Sequence, residues 1–278
     1  MLVVVYAQSE RWRSFAERAD DLIASERFQA VKNEGRTLAG FCESEGIRFF
    51  LKRFEGGSWV EGVIRRARGS PAARSLINAR LLGREGFLCP EIYAASDRIE
   101  AGAVRASYLL TEPLSAAMTF SRFIDRRIDH KRREPVWRRR VLEVVAQEVK
   151  RLHDSGIASA DLQETNLMLE ESDHGLKVYF VDLDGFRQNA RLSWADRARN
   201  LVQLDRSVGR FSTRAERLRF LYAYLNQLPD RFRRREIVRG LLESRRRKDA
   251  EYSRRRTLRQ SRKTRGVDPQ RSSRSEGA

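Results

Sequence analysis

Long apolar runs are missing from this chain: its most apolar opening, Leu2–Tyr6, is five residues long, far short of a secretory signal core or of the roughly 20 residues that cross a bilayer. That reads as a soluble, cytoplasmic protein. Cysteine is scarce as well. Cys42 and Cys89 lie far apart with no CxxC spacing, which excludes a disulfide framework, argues against a structural zinc site and leaves two reduced core thiols. No GxGxxG occurs, so no glycine loop announces a phosphate site by itself.

What is abundant is positive charge. Across 278 residues, 56 Lys and Arg face 38 Asp and Glu, a net charge of +18. Such an excess attracts nucleic acid, anionic lipid or phosphorylated glycan without choosing among them. From Ser244 to Ala278 there are 13 basic and 4 acidic residues, so half of the excess sits in a Ser/Arg-rich tail with almost no apolar residue, read as disordered or an extended charged helix. The tail has only Tyr252 as an aromatic, which speaks against specific nucleic-acid recognition and for attraction to an anionic membrane surface. The body, 41% hydrophobic over the whole chain, can bury a core for one large domain or two lobes.

Taken in order, residues 1–28 read as a strand and helix extension, with Trp12, Phe15, Ala19, Leu22 and Ile23 at helical spacing. Residues 29–112 read as a small lobe. A Glu45-Gly46 turn leads into a strand from Arg48 to Phe54 that carries Lys52, a lysine set to reach nucleotide phosphates. Taken alone, Lys52 reads more readily as an outward edge-strand lysine. Gly35 and Gly40 flank a turn that would close over phosphates, residues 55–69 read as a polar link, and Ser70-Pro71 opens a helix that Gly86 and Pro90 end. A strand from Val104 reaches Glu112-Pro113-Leu114, which reads equally as an ordinary strand exit or as a hinge whose backbone would meet an adenine. Residues 113–243 read as a helical catalytic lobe, with a stripe Val141, Val144, Val145, Val149 and Leu152, a buried structural His153, and one helical stretch from Trp194 to Leu228 stopped by Pro229. A shorter helix around Ile237–Leu242 precedes the 244–278 tail.

The stretch Leu152–Arg187 carries the chemistry. Asp161 and, five residues later, Asn166 occupy one turn, and the apolar run Val178–Val181 delivers Asp182-Leu183-Asp184-Gly185. Phosphoryl transfer needs a carboxylate to orient a hydroxyl and hard oxygens to hold magnesium against phosphates. Asp161 is the candidate catalytic group, and Asn166 with Asp182 the candidate magnesium ligands, Asp184 competing with Asp182. Together with Lys52 and the hinge, this predicts an α+β, two-lobed protein-kinase-like fold with ATP and Mg2+ as cofactors.

These residues resemble the lipopolysaccharide core kinases, which phosphorylate 3-deoxy-manno-octulosonate (Kdo) or heptose. The resemblance spans roughly residues 29–228 and is carried by FFLKRF, by RSLINARLLGREGFLCPEIYAA with SYLLTEPL, by RLHDSGIASADLQETNLML with VYFVDLDGFR, and by RARNLVQLDRSVGRFSTRAERLRFLYAYL. It implies an ATP-dependent phosphotransferase with a small antiparallel β lobe and a mainly helical large lobe, acting on a core or lipid-linked sugar hydroxyl at the cytoplasmic face of the inner membrane. By position it implies Lys52 on ATP phosphates, Asp161 as catalytic aspartate, and Asn166 and Asp182 on metal. The family's His-Arg-Asp or His-Gly-Asp is here Ser159-Ala160-Asp161. That departure leaves two alternatives beside the sugar kinase: a pseudokinase that binds nucleotide without transfer, or a kinase of a protein or small alcohol.

Overall fold

Alternation in IRFFLKRFE sets how strand β4 (Ile47–Glu55) faces: Phe49 and Leu51 turn one way, Phe50, Lys52 and Phe54 the other. In the computed structural model, which describes residues 1–125, 129–130, 134–225, 235–247, 250 and 254, this strand lies inside a six-stranded antiparallel sheet. Its other members are β1 (Leu2–Ala7), β2 (Phe28–Glu34), β3 (Thr37–Ser44), β5 (Ile92–Glu100) and β6 (Ala103–Thr111), ordered β1-β5-β6-β4-β3-β2. The tight β3–β4 turn is made by Glu45 and Gly46, both at positive φ, as a two-residue hairpin of this hand requires.

Each sheet face buries its own core. On one, Phe15, Ala16, Ala19 and Leu22 of helices α1 (Glu10–Glu17) and α2 (Ala19–Ala24) cover Cys42, Phe49, Leu51, Ala106, Tyr108 and Leu110. Phe15 stacks on Phe49 with centroids 5.5 Å apart. Asp20 of α2 accepts from the Tyr108 hydroxyl at 2.7 Å and from Arg98 at 2.9 Å. Residues 1–28 thus extend the lobe's sheet by a strand and cover one of its faces. On the other face, Phe54, Ile92, Ala95 and Leu109 meet Ala72 and Leu76 of α4 (Pro71–Arg84); Ser70 caps that helix by accepting from Ala73 N–H. The expected polar link is instead mostly helix, α3 (Trp59–Arg68), capped by Ser58. It shows no buried apolar stripe, so periodicity that assumes an apolar inner face passes it over.

The larger lobe begins with β7 (Met118–Thr119), α5 (Phe120–Phe123) and the 20-residue α6 (Pro135–Asp154). Val141, Leu142, Val145, Val149 and Leu152 of α6 are buried. Then come β8 (Ile157–Ser159), β9 (Leu167–Ser172), β10 (Gly175–Phe180), β11 (Phe186–Gln188), α7 (Trp194–Val208) and α8 (Arg214–Tyr224). The single helix expected from Trp194 onward is two. Thr213 opens α8 with a reciprocal cap, its hydroxyl accepting from Glu216 N–H while Glu216 accepts from Thr213 N–H at 2.7 Å. Glu216 also receives buried Arg138 of α6 at 2.5 and 3.1 Å, and Arg138 donates further to the carbonyls of Ile124 and Phe211.

These elements form one unit, Met1–Tyr224; a second, Leu225–Ala278, contains helical residues 235–247, where a short helix was expected. Pro229, residues 126–128 and 131–133, and most of the 244–278 tail lie outside the described residues.

Candidate active site

Strand β9, the turn and strand β10 return the chain antiparallel, pairing Leu167 with Phe180. The two ends of this hairpin therefore meet. Val181 N–H donates to the Asn166 carbonyl at 3.0 Å, which fixes Asp182 beside the Asp161–Asn166 turn. Within that turn Asn166 Nδ2 donates to the Asp161 carbonyl at 2.9 Å and Gln163 Nε2 to Asp161 Oδ2 at 2.7 Å. With its nitrogen so anchored, the oxygen of the Asn166 amide is the atom left to present to a cation. Asp182 sits in the left-handed region (φ 60°, ψ 58°), a conformation that aspartate tolerates better than most residues and that occurs at functional turns.

Lys52 crosses from the small lobe to form an ion pair with Asp182 Oδ1. Burial pushes the Asp182 carboxyl up, yet the charge and hydrogen bond of Lys52, with Lys32 behind, leave it below the usual carboxylate range. Asp184, beside Asp182, also meets Arg74 of α4, whose Nη2 lies 3.2 Å from its Oδ2 and whose Nε donates to its carbonyl. Burial and the neighbouring Asp182 charge hold Asp184 above the carboxylate range against Lys52 and Arg74. Asp161 is raised as well, first by desolvation and then by Asp182, against Lys32 and the amides of Gln163 and Asn166. A raised carboxylate is a stronger base once ionised.

Helix α4 grips this metal-type loop at a second point: Asn78 Nδ2 donates to the carbonyls of Leu183 at 2.7 Å and Phe186 at 3.0 Å. Beyond the helix, the Leu88 carbonyl takes Phe180 N–H, and Arg151 donates to the carbonyls of Glu85 and Gly86. The small-lobe helix is thus pinned at both ends to the larger lobe.

The loop holding Asp161 has no histidine of its own, and α7 holds it from below. Asn200 Oδ1 accepts from Ser159 N–H at 3.1 Å while its Nδ2 donates to the Ser159 carbonyl at 2.6 Å. Gln203 donates to the Ala160 carbonyl and accepts from Leu162 N–H; the Ser207 hydroxyl accepts from Glu164 N–H. Positions 200, 203 and 207 fall on one helix face, so a single polar stripe fastens the loop. Because Asn200 must present its oxygen to Ser159 N–H, buried His153 meets that oxygen as an Nε2–H donor at 3.2 Å, and Tyr224 donates to Nδ1 at 2.7 Å. The neutral tautomer is fixed by the network, and burial drives the His153 pKa down to about 4.

The remaining sequence candidates fall as follows. Gly35 is at positive φ in the β2–β3 turn. Gly40 lies inside β3, where an added Cβ would come 2.3 Å from the Gln29 carbonyl, so strand packing accounts for that glycine. Glu112 closes a clasp with Glu91, its N–H donating to the Glu91 carbonyl and its carboxylate accepting Glu91 N–H. Leu114 starts the turn beyond, its carbonyl accepting Ala117 N–H. Cys42 is buried and Cys89 partly so, and both are free thiols.

Lys32 was not singled out in sequence. Lys32 pairs with Ala39 and Ala39 with Lys52. Cross-strand partners share a sheet face, so two lysines flank one small residue on the cleft side, and the charge of Lys32 is felt at both Asp161 and Asp182.

A family model described as lipopolysaccharide kinase (Kdo/WaaP) family matches residues 65–224. The chain belongs to that family. It is similar to 3-deoxy-D-manno-octulosonic acid kinases, at 26% identity over 197 residues from Actinobacillus succinogenes (63% of this chain, 76% of that one) and 26% over 217 residues from Haemophilus influenzae strain PittEE (70% and 85%). A solved structure titled WaaP in complex with acyl carrier protein superposes with TM-score 0.61 at 22% identity, over 90% of this chain and 98% of that one. The fold of this kinase is accordingly the α+β, two-lobed one expected from sequence. The enzyme is an ATP-using lipopolysaccharide core kinase that phosphorylates a sugar. Among the described residues no helix is long and apolar enough to cross a membrane.

Proposed function

We propose that the acceptor is a hydroxyl of Kdo in the lipopolysaccharide core, and that Asp161 is the group that orients it and receives its proton as the oxygen attacks the γ-phosphorus and ADP leaves. Lys52 and Lys32 bind the phosphate chain from the sheet, and Glu112 to Leu114 offer backbone groups to the adenine. The Asn166 amide oxygen and the ionised Asp182 carboxylate are hard donors that suit magnesium, whose other ligands come from phosphate and water. Magnesium there would neutralise phosphate charge as the bond to the leaving oxygen breaks. The observation that carries this reading is the convergence of Lys52 on Asp182 beside the Asp161–Asn166 turn. The Kdo acceptor is supported by the names of the relatives, and a site facing the cytoplasm at the inner membrane follows from ATP meeting a lipid-linked sugar.

The test uses purified full chain with ATP and magnesium on a Kdo-bearing lipid A precursor and on a core extended by heptose. Phosphate on Kdo, lost in Asp161→Ala, is the expected result. Transfer to heptose alone would replace the acceptor, and transfer surviving Asp161→Ala would remove the catalytic assignment.

A further inference from the structure

Helix α3 is packed inside out. Its inward positions are polar or bare. Glu61 is paired with Arg36 at 2.6 Å and Arg65 at 2.8 Å, and Arg65 also donates to the Glu55 carbonyl. At Gly62 an added Cβ would come 2.9 Å from both the Ala103 Cβ and the Val104 carbonyl, so glycine lets this face lie directly on β6. The apolar residues point to solvent: Trp59 is 53% exposed, Val60 60%, Val63 37% and Ile64 47%. At 3.6 residues per turn these four and Ala67 fill an arc of roughly 140°, bracketed by Arg66 on one side and Arg68 on the other. An ordinary surface helix turns such a stripe to the core.

Two contacts hold the ridge in place without covering it. Trp59 Nε1 donates to the Ala101 carbonyl at 3.1 Å, and Arg66 donates to the Gly102 carbonyl at 3.1 Å. The indole nitrogen is thereby satisfied while much of the ring stays in water, which suits a side chain that sits at a lipid–water boundary.

We infer that this outward face of α3 docks the enzyme on an anionic lipid bilayer. The apolar arc carries no acid, and the helix's one carboxylate, Glu61, is already ion-paired with Arg36 and Arg65. Arginines at the flanks place cations at headgroup level when the arc enters the acyl boundary, the arrangement of an interfacial helix. A single helix of this length gives reversible binding, and the small lobe then meets the surface from which a lipid-linked acceptor is presented. The docking stands whichever sugar hydroxyl is phosphorylated.

The experiment is co-sedimentation of full-length enzyme with phosphatidylcholine vesicles containing or lacking phosphatidylglycerol. It compares wild type with the surface double variant Val60→Asp/Ile64→Glu, checked for unchanged circular dichroism and Tm. The expected result is preferential binding to the anionic vesicles and a loss on the order of tenfold in the variant, equivalent to about 1.4 kcal/mol. Brominated acyl chains should quench part of the tryptophan emission, and Trp59→Phe should remove that part. To keep the basic tail's charge from mimicking the effect, the binding is repeated at high salt, where screening weakens the tail more than apolar insertion. Activity on a soluble deacylated acceptor should be unchanged in the double variant while activity on acceptor in vesicles falls; failure of the Kdo assignment would instead remove both in wild type. Unchanged vesicle binding in the variant, or absence of Trp59-dependent quenching, overturns the inference. So does loss of a dimer seen by light scattering without loss of vesicle binding, which would assign the face to a second copy.

Discussion

Ser159 is held at both its N–H and its carbonyl by the side chain of Asn200. Two residues before Asp161, one amide fixes the chain in the manner of a strand partner, and His153 fixes the amide. The groups that steady the Asp161 loop therefore stand on α6 and α7 and not in the loop's own sequence.

Asn200→Ala should be costly in stability and in rate. It leaves the buried Ser159 N–H and carbonyl and the His153 Nε2–H without partners, at about 1–3 kcal/mol for each buried group. A drop in Tm of several degrees with a fall in kcat larger than any rise in KM for ATP is the expected pattern. A wild-type kcat in a destabilised protein would show that the latch serves folding alone.

Stability should fall in acid partly through His153. Its folded pKa of about 4 lies below the ordinary value of 6.5, so between those values the unfolded chain binds the proton and the folded one does not. The contribution is intact above pH 6.5 and is lost as pH falls toward 4, at up to about 1.4 kcal/mol per pH unit. Urea midpoints from pH 7 to pH 4 should decline less steeply in His153→Gln; identical slopes would contradict the buried neutral histidine.

Asp182 and Asp184 separate by their partners, Lys52 for the first and Arg74 for the second. Asp182→Asn should abolish magnesium-dependent stabilisation by ATP in a thermal-shift titration. Asp184→Asn should retain that stabilisation and lose turnover by loosening the hold of Arg74. The reverse outcome would exchange the two roles.

Lys52→Ala should lower kcat/KM for ATP by roughly 10² or more, the scale of losing one stabilising donor, and Lys32→Ala, more exposed and farther behind, by about tenfold. The folded state of each should be preserved, because Lys32 is exposed and Lys52 only partly buried. A silent Lys32→Ala would restrict phosphate binding to Lys52.

Arg138→Met should destabilise the larger lobe by about 3–5 kcal/mol, since it removes the buried cation that faces the Glu216 carboxylate. The double change Arg138→Met/Glu216→Leu should recover part of that loss in chemical denaturation, because both members of the buried ion pair are then gone, while the Thr213 cap that Glu216 completes is lost with it. Equal losses in the single and double variants would mean that the arginine's carbonyl contacts dominate.

Much of the architecture was legible because it is local. The Glu45-Gly46 turn, the Ser70-Pro71 cap and the α6 stripe each declare themselves within a few residues. Lys52, Asp161, Asn166 and Asp182 were readable as types in order, and the fold brings them together, although Lys52 and Asp182 are 130 positions apart. Other features escaped for physical reasons. Strand β2 is exposed along nearly its whole length, so no alternation marked Lys32 as facing the cleft. Helix α3 carries its apolar residues outside, and a search for buried stripes does not see it. The break between α7 and α8 is written in Thr213 and Glu216, a capping box that the surrounding helical pattern masks. Asn200 looked like an ordinary polar residue, since only the tertiary structure puts Ser159 against it.

Leu2 pairs with Arg98, and Met1 donates to the Ile99 carbonyl at 3.0 Å. Strand β1 therefore has no partner until β5 is made and seated beside β6, whereas β2, β3 and β4 zip as successive hairpins. Pairings of such long sequence separation are intrinsically slow. Until β1 docks, the sheet lacks its boundary strand beside β5, and the edge of β5 is open to other chains. In this kinase the docking of β1 passes the outer edge of the small-lobe sheet from the longer β5 to the shorter β1, so the chain's opening segment decides which backbone row the finished sheet shows to solvent.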